Sequence, residues 1–140
     1  MTTEPSTNVQ DAYDVSVTTD ATDLLTMMRA VNGTQEDRTD GVLWWLHTGA
    51  AGSGRLIAGV RGERGVLVWA EPKQTFLPRN GINEEDVDYF TWESHHFPQR
   101  PGTEVPIDLV YQAVREYVAT EQRPTCLEWV PAPDAASATA

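Results

Sequence analysis

The chain has 140 residues, enough for one domain with a hydrophobic core and too few for two ordinary domains. Its 21 acidic residues outnumber its 10 basic residues, which disfavours direct binding to nucleic acid or to an anionic membrane and favours a basic partner. An apolar fraction of 40% excludes a disordered chain, and no apolar run approaches the roughly 18 residues of a membrane span. The single cysteine excludes an internal disulfide and no secretory signal is visible, so we expect a soluble, cytoplasmic domain.

The first half of the chain begins with a strand, a helix and a central strand. Alternation of apolar and polar side chains predicts a half-buried strand at 13–17. Apolar residues at helical spacing predict a helix at 20–33, which begins at an aspartate N-cap and ends at Asn-Gly. The run 42–47 is apolar on both faces, which indicates a central strand, and its adjacent Trp44 and Trp45 are expected to face opposite ways.

The middle of the chain is predicted to form a hairpin and one more strand. A turn at 61–65, rich in glycine and charge, joins strands at 55–60 and 66–70. An irregular connection at 71–83 contains two prolines and an Asn-Gly pair. It leads to a fifth strand at 86–92.

The clearest element is a second helix, in which Pro106 occupies the first turn and an apolar stripe continues to Val118. A last strand is predicted at 125–130. The order β-α-β-β-β-β-α-β predicts an α+β fold, a mainly antiparallel sheet of about six strands with two helices packed on one face. The predicted division of the chain is a mobile tail, one domain and a second mobile tail: 1–12, 13–130 and 131–140.

Residue types that carry chemistry are few. A small hydrolase or metal enzyme using His95, His96 and Glu93 is one alternative, although adjacent histidines on an extended segment point to opposite sides. Cys126 lies in a predicted apolar strand, which indicates a core residue rather than a nucleophile. The glycine-rich loop at 49–54 leads into a strand, whereas a phosphate-binding loop leads into a helix. We therefore predict no catalytic residue, metal or cofactor.

The strongest local signal is a concentration of acidic residues at 82–93, where five acids and no bases occur. Such a run is ordinarily a solvated face, but aromatic residues interleave with these acids, as they do in protein interfaces. We predict a partner-binding surface formed by Glu84, Glu85, Asp86, Asp88, Trp92 and Glu93. A weaker second acidic patch is predicted at Glu36, Asp37 and Asp40.

The last third of the chain carries a recognisable pattern. It consists of Thr-Glu-Val-Pro at 103–106, an amphipathic helix, and Arg-Pro-Thr-Cys-Leu-Glu-Trp at 123–129. Together with the turn and strand at 61–67, this resembles the first-numbered immunity-protein family of bacterial polymorphic toxin systems. The same residues have ordinary structural explanations, because Glu104 and Pro106 begin a helix and the final tryptophan fills the core. The resemblance therefore carries over a fold and a role, and no binding residues.

The resemblance implies a cytoplasmic antidote that is an inhibitor rather than an enzyme. Many relatives are encoded next to deaminase toxins, including those that deaminate cytosine in DNA. It implies a one-to-one complex with a cognate toxin, in which an acidic protein occludes the active site or the basic groove that holds nucleic acid. The alternative from a third class is an acidic ligand-binding or scaffolding module that has no toxin partner.

Overall fold

The computed structural model describes residues 12–17, 21–34, 39–49 and 54–132. These residues form a mainly antiparallel sheet with two helices, which confirms the predicted α+β class. The sheet has eight strands rather than about six, because two short strands, at 75–78 and 104–106, were not predicted. No helix in these ranges is long and apolar enough to cross a membrane.

The described residues form two helices and eight strands. The helices are α1 (Thr22–Thr34) and α2 (Ile107–Thr120). The strands are β1 (Ala12–Asp14), β2 (Gly41–His47), β3 (Arg55–Val60), β4 (Arg64–Ala70), β5 (Thr75–Pro78), β6 (Tyr89–Phe90), β7 (Glu104–Pro106) and β8 (Trp129–Pro131). The order across the sheet is β1-β2-β3-β4-β5-β8, with β6 paired to β2 and β7 paired to β4. Only the β1–β2 and β2–β6 pairs are parallel.

The main core lies between the two helices and one face of the sheet. Leu25 and Met28 of α1 and Val114 of α2 pack with Trp44 of β2 and Leu67 of β4, and all five side chains are buried. Both helices thus bury their apolar stripes against the same sheet face, as the helical periodicity predicts. This contact fixes the orientation of the sheet whose opposite face carries the candidate site.

The second face of the sheet has a smaller apolar cluster. Leu43 of β2 and Val66 of β4 pack there with Tyr89, and Trp45 lies at the edge of the cluster, half-buried. Trp44 is fully buried on the helix side, so the two adjacent tryptophans face opposite ways as expected. Because both faces of β2 are covered, its sequence is apolar from Val42 to Leu46.

Several strand boundaries differ from the predictions. The predicted strand at 13–17 ends at Asp14 and continues as a short 3-10 turn, Val15–Val17. The connection predicted to be irregular contains β5, and the predicted fifth strand is reduced to β6. Short strands depend on partners that are distant in sequence, which local alternation does not reveal.

The C-terminal strand is also displaced. It begins at Trp129 rather than at residue 125, and Pro131 pairs with Phe76 of β5. Thr125 instead follows the second helix as a loop residue, and its backbone and hydroxyl both donate to the Glu116 carboxylate at 2.7 Å. The predicted N-cap Asp20 and most of the two predicted tails lie outside the described residues.

Candidate partner-binding site

The predicted acidic residues lie on a loop and a hairpin that cover part of the second sheet face. We call residues 82–93 the acidic segment, and its second half forms one arm of a hairpin at 87–99. Val87 and Gln99 close this hairpin with reciprocal backbone hydrogen bonds of 2.9 and 2.8 Å. The arm contains β6, which pairs with β2, so the hairpin is attached to the sheet.

The hairpin tip is a tight turn held by backbone hydrogen bonds. The Thr91 amide donates to the His95 carbonyl and the Ser94 amide donates to the Thr91 carbonyl, both at 2.9 Å. Ser94 adopts a left-handed conformation with φ 75°, which is rare for a residue other than glycine and persists only where its surroundings fix it. The tip therefore holds the backbone at Trp92, whose side chain is exposed.

A second set of contacts joins the two arms of the hairpin. The His96 ring stacks on Phe90 at 4.8 Å between centroids, and its Nε2 lies 2.9 Å from the Asp88 carboxylate. The Asp88 side chain is 65% exposed despite this contact. Asp88 is therefore paired within the protein but remains accessible to a partner.

An open cleft of about 490 Å³ separates the acidic segment from two arginines. The cleft is lined by Thr39, Arg61 and Arg64 and by the continuous run 82–88. Within the described part of the chain, the carboxylates of Glu84, Glu85 and Asp86 form no ion pair. The cleft thus has cationic groups on one side and unpaired carboxylates on the other.

A buried carboxylate lies beside this cleft. Glu104 of β7 is fully buried and accepts two hydrogen bonds from the Arg61 guanidinium, at 2.7 and 2.8 Å. The Tyr89 hydroxyl donates to the same carboxylate at 2.6 Å, and an Arg64 guanidinium nitrogen lies 3.7 Å from it. We call Arg61, Arg64, Tyr89 and Glu104 the charge network. Its hydrogen bonds satisfy a charge that would be costly to bury alone.

The charge network shifts the pKa values of its members. Burial on its own would raise the pKa of Glu104, but the hydrogen bonds from Arg61 and Tyr89 outweigh it and hold that pKa below its ordinary value. Burial raises the pKa of Tyr89, and its hydrogen bond to the carboxylate raises it further. The carboxylate is therefore ionised and the phenol neutral across the physiological pH range.

Asn83 ties the acidic segment to the start of β7. Its Oδ1 accepts hydrogen bonds from three successive backbone amides, at 3.0, 2.9 and 2.8 Å, contributed by 102–104. Its amide group donates to the carbonyls of Glu85 and Arg100, at 2.8 and 3.0 Å. Because the side chain is buried, these five bonds hold the base of the acidic segment in one conformation.

The structure brings together most of the predicted binding residues. Four of them line the cleft, namely Glu84, Glu85, Asp86 and Asp88. Trp92 and Glu93 lie at the hairpin tip and do not line the cleft. Asp40 of the second patch immediately precedes Gly41, whose amide donates to the Asp88 carbonyl at 3.0 Å, so it is next to the acidic segment. Glu36 and Asp37, the other members of that patch, lie outside the described residues.

The residues of the enzymatic alternative do not form a metal cluster. His96 binds Asp88, and among the described residues no group of three or more His, Cys, Asp or Glu side chains has a geometry that could hold a metal ion. Cys126 is half-buried in a loop rather than buried in a strand, although it packs against the core. Burial raises the pKa of this thiol, which disfavours the reactive thiolate.

No sequence pattern predicts the charge network. The pattern at 103–106 predicts that Glu104 begins a helix, whereas this residue lies in β7 and the helix begins at Ile107. A glutamate between Thr103 and Val105, both buried, is a signal for a paired carboxylate, because a charge in such a run needs a counter-ion. Its partner Arg61 is 43 residues away, so spacing alone does not identify it.

Comparison with protein families places this geometry in a known context. A family model described as Immunity protein Imm1 matches residues 10–131, which include both helices and all eight strands. The chain belongs to the Imm1 immunity protein family. Membership confirms the predicted resemblance and implies a cognate toxin as partner. No curated protein matches the chain significantly.

The Thr-Glu-Val-Pro pattern of this Imm1 chain contacts the acidic segment. The Thr-Glu-Val-Pro pattern at 103–106 supplies the buried carboxylate of the charge network and the acceptor for the Ile82 amide, at 2.8 Å. This pattern therefore holds the start of the acidic segment through the Ile82–Glu104 backbone hydrogen bond. The carboxylates of Glu84, Glu85 and Asp86 form no ion pair with described residues and can contact a partner.

Proposed function

We propose that this Imm1 protein neutralises a nucleic-acid deaminase toxin, in a one-to-one complex that occludes the toxin's active site or basic substrate groove. The family supports a role in immunity and a toxin partner. The deaminase assignment rests on charge. A nucleic-acid deaminase needs a positively charged channel for phosphates and a pocket for the extruded base, and an acidic protein can compete for that channel.

The observation that carries the proposal is the set of unpaired carboxylates on a fixed segment. Glu84, Glu85 and Asp86 are exposed and form no ion pair with described residues, and Asn83 fixes the chain beneath them. Complementary charge accelerates encounter with a basic surface and disfavours wrong partners. Because the segment is ordered before binding, little conformational entropy is lost on association.

The proposed toxin-binding surface keeps the residues predicted from the sequence. Its centre is the acidic segment, with Glu84, Glu85, Asp86, Asp88, Trp92 and Glu93. Asp40 extends it on the β2 side, and we include Glu36 and Asp37 as part of the same second patch. The protein acts as an inhibitor without catalysis of its own, in the cytoplasm, where its toxin would meet nucleic acid.

Co-expression with the toxin domain encoded beside this chain tests the proposal. We expect cell survival, co-purification in equal amounts, and loss of deamination of a cytosine-containing oligonucleotide when the purified chain is added. Survival without any effect on deamination would leave an immunity role and exclude the deaminase assignment. Absence of both rescue and complex would exclude the function as a whole.

A charge-reversal pair tests the surface itself. Lysine replaces four acids of the cleft in one variant, and four exposed acids elsewhere in a control of equal charge change. The cleft variant carries Glu84→Lys, Glu85→Lys, Asp86→Lys and Asp88→Lys, and the control carries Asp23→Lys, Asp108→Lys, Glu121→Lys and Glu128→Lys. We expect the association rate at low salt to fall at least about tenfold further in the cleft variant than in the control. Equal losses would show that only net charge matters.

A further inference from the structure

Large exposed apolar side chains are confined to one part of the described chain. Only three are exposed there, Ile82 at 42%, Trp92 at 40% and Phe97 at 39%. All three lie between residues 82 and 97, and the unpaired carboxylates lie in the same stretch. Single exposed apolar residues are common, but their concentration beside a charged surface marks an interaction site.

Phe97 is held in place although it is exposed. Its ring meets Trp45 edge-to-face, with centroids 4.9 Å apart and planes at 88°. Its amide donates to the Tyr89 carbonyl at 2.7 Å, which locks this position of the hairpin. One side of the ring is thus supported by the sheet, and the remaining surface is available to a partner.

Hydrogen bonds also hold the backbone at or next to the other two apolar residues. The Ile82 amide donates to the Glu104 carbonyl at 2.8 Å, and Asn83 next to it forms the five bonds described above. Trp92 lies in the hydrogen-bonded tip beside Ser94. Ile82 lines the cleft, and Phe97 lies across the hairpin from Tyr89 of the same acidic segment.

We propose that Ile82, Trp92 and Phe97 are the apolar anchors of the toxin interface. This inference rests on the proposed function and adds the chemistry that the toxin must present: apolar pockets between lysine and arginine side chains. Rigid aromatic and aliphatic side chains surrounded by charge are typical of binding hot spots, because they lose little entropy on burial.

Charge selects this occupant over a second copy of the same chain. A two-fold symmetric contact through the hairpin would place the acidic segments of both copies against each other. Opposed carboxylates without cations between them repel, whereas a basic partner relieves that repulsion. The partner is therefore a different, basic protein.

The anchors and the carboxylates have separable kinetic effects. Exposed charges act during diffusional encounter and change the association rate. Buried apolar contacts form only after docking, so truncating them changes mainly the dissociation rate. The two sets of variants can therefore be distinguished on the same toxin.

The experiment uses the toxin domain encoded beside this chain, immobilised through a terminal tag, and the full-length chain in solution. Trp92→Ala and Ile82→Ala are the main variants, and Phe97→Leu keeps an apolar contact with Trp45 while removing the ring. Leu109→Ala, at a half-buried position of α2 that packs against the helix-covered core, is the matched control. We expect each of the first two variants to dissociate at least about tenfold faster, with association within about twofold of the original chain.

Each result bears on a different claim. If the original chain does not bind the toxin, the proposed function fails and this inference falls with it. If the original chain binds and Trp92→Ala, Ile82→Ala and Phe97→Leu all dissociate like the control, the anchor assignment alone is overturned. Sedimentation of the free chain adds an independent arm, because a dimer abolished by Trp92→Ala would overturn the choice of partner.

Discussion

Removal of the Tyr89 hydroxyl tests whether the charge network stabilises the fold. Tyr89→Phe deletes a hydroxyl that donates to the buried Glu104 carboxylate at 2.6 Å and leaves the ring in place. Hydrogen bonds to charged groups contribute about 1.5–3 kcal/mol, and the two bonds from Arg61 remain. We therefore expect the free energy of unfolding to fall by about 2 kcal/mol.

A matched deletion in the same protein gives the reference value. The hydroxyl of Tyr117, another fully buried tyrosine, donates to the neutral carbonyl of Gly54 at 3.1 Å. Neutral hydrogen bonds contribute about 0.5–1.5 kcal/mol, so Tyr117→Phe is expected to cost about 1 kcal/mol. The difference between the two variants isolates the effect of the charged acceptor.

Glu104→Gln completes a double-mutant cycle. The amide keeps the size of the side chain but removes the counter-charge of Arg61, whose side chain is 25% exposed. Breaking a fully buried pair costs about 3–5 kcal/mol, and partial access of water to Arg61 favours the low end, about 3 kcal/mol. In this background Tyr89→Phe should cost about 1 kcal/mol less than in the original chain.

Urea unfolding of the four variants measures these values, provided that the dependence on denaturant stays constant. The reasoning is refuted if Tyr89→Phe costs no more than Tyr117→Phe, or if its cost is unchanged when glutamine replaces Glu104. The first result would mean that the buried carboxylate exchanges its tyrosine partner for water without loss, and the second that the contribution of the hydroxyl does not depend on the charge of its acceptor.

Three further predictions concern titration, loop order and thiol reactivity. Although burial opposes it, hydrogen bonding lowers the folded-state pKa of Glu104 below its ordinary value of 4.5. The contribution of this carboxylate to stability is therefore complete above about pH 4.5 and is lost as the pH falls through the folded pKa. Urea unfolding from neutral pH to about pH 3 should show a decrease in the free energy of unfolding that Glu104→Gln reduces. Asn83→Ala leaves the buried amides of Thr103 and Glu104 without the Asn83 Oδ1 acceptor, and we expect a loss of about 3 kcal/mol with faster hydrogen exchange at 103–104. Because burial raises the pKa of Cys126, iodoacetamide should alkylate it more slowly at neutral pH than it alkylates free cysteine, and unfolding should remove the difference.

The elements that the sequence predicts well are those with a long apolar period. β2 and β3 lie where runs of apolar residues indicate them, and α2 follows its stripe of valines and tyrosines to Thr120. The periodicity reflects burial against the sheet, so pattern and structure have the same cause. The adjacent tryptophans of β2 illustrate this, since the alternation of a strand turns Trp44 and Trp45 to opposite faces of the sheet.

Short strands and the candidate site depend on contacts that no local pattern contains. β6 has two residues and forms because they pair with Gly41 and Val42 of β2 as a parallel strand. The hairpin tip depends on a left-handed Ser94, a residue type that gives no signal for this conformation. Acidic residues can be counted from the sequence, but whether a cation neutralises them is decided by distant chain segments.

The balance of charge around the cleft explains how the acidic segment stays ordered while Glu84, Glu85 and Asp86 form no ion pair with described residues. Two guanidinium groups face five carboxylates when the cleft and the charge network are taken together, which leaves a net charge of −3. Arg61 is bound by the buried Glu104, and Arg64 lies close to the same carboxylate, so neither forms an ion pair with the exposed acids above. Both arginines still reduce the repulsion within the segment, since charges several ångströms apart interact appreciably near a protein surface. The carboxylates of Glu84, Glu85 and Asp86 therefore keep their full pairing capacity for an external cation, because none of them has an ion pair with a described residue to break before a basic partner binds.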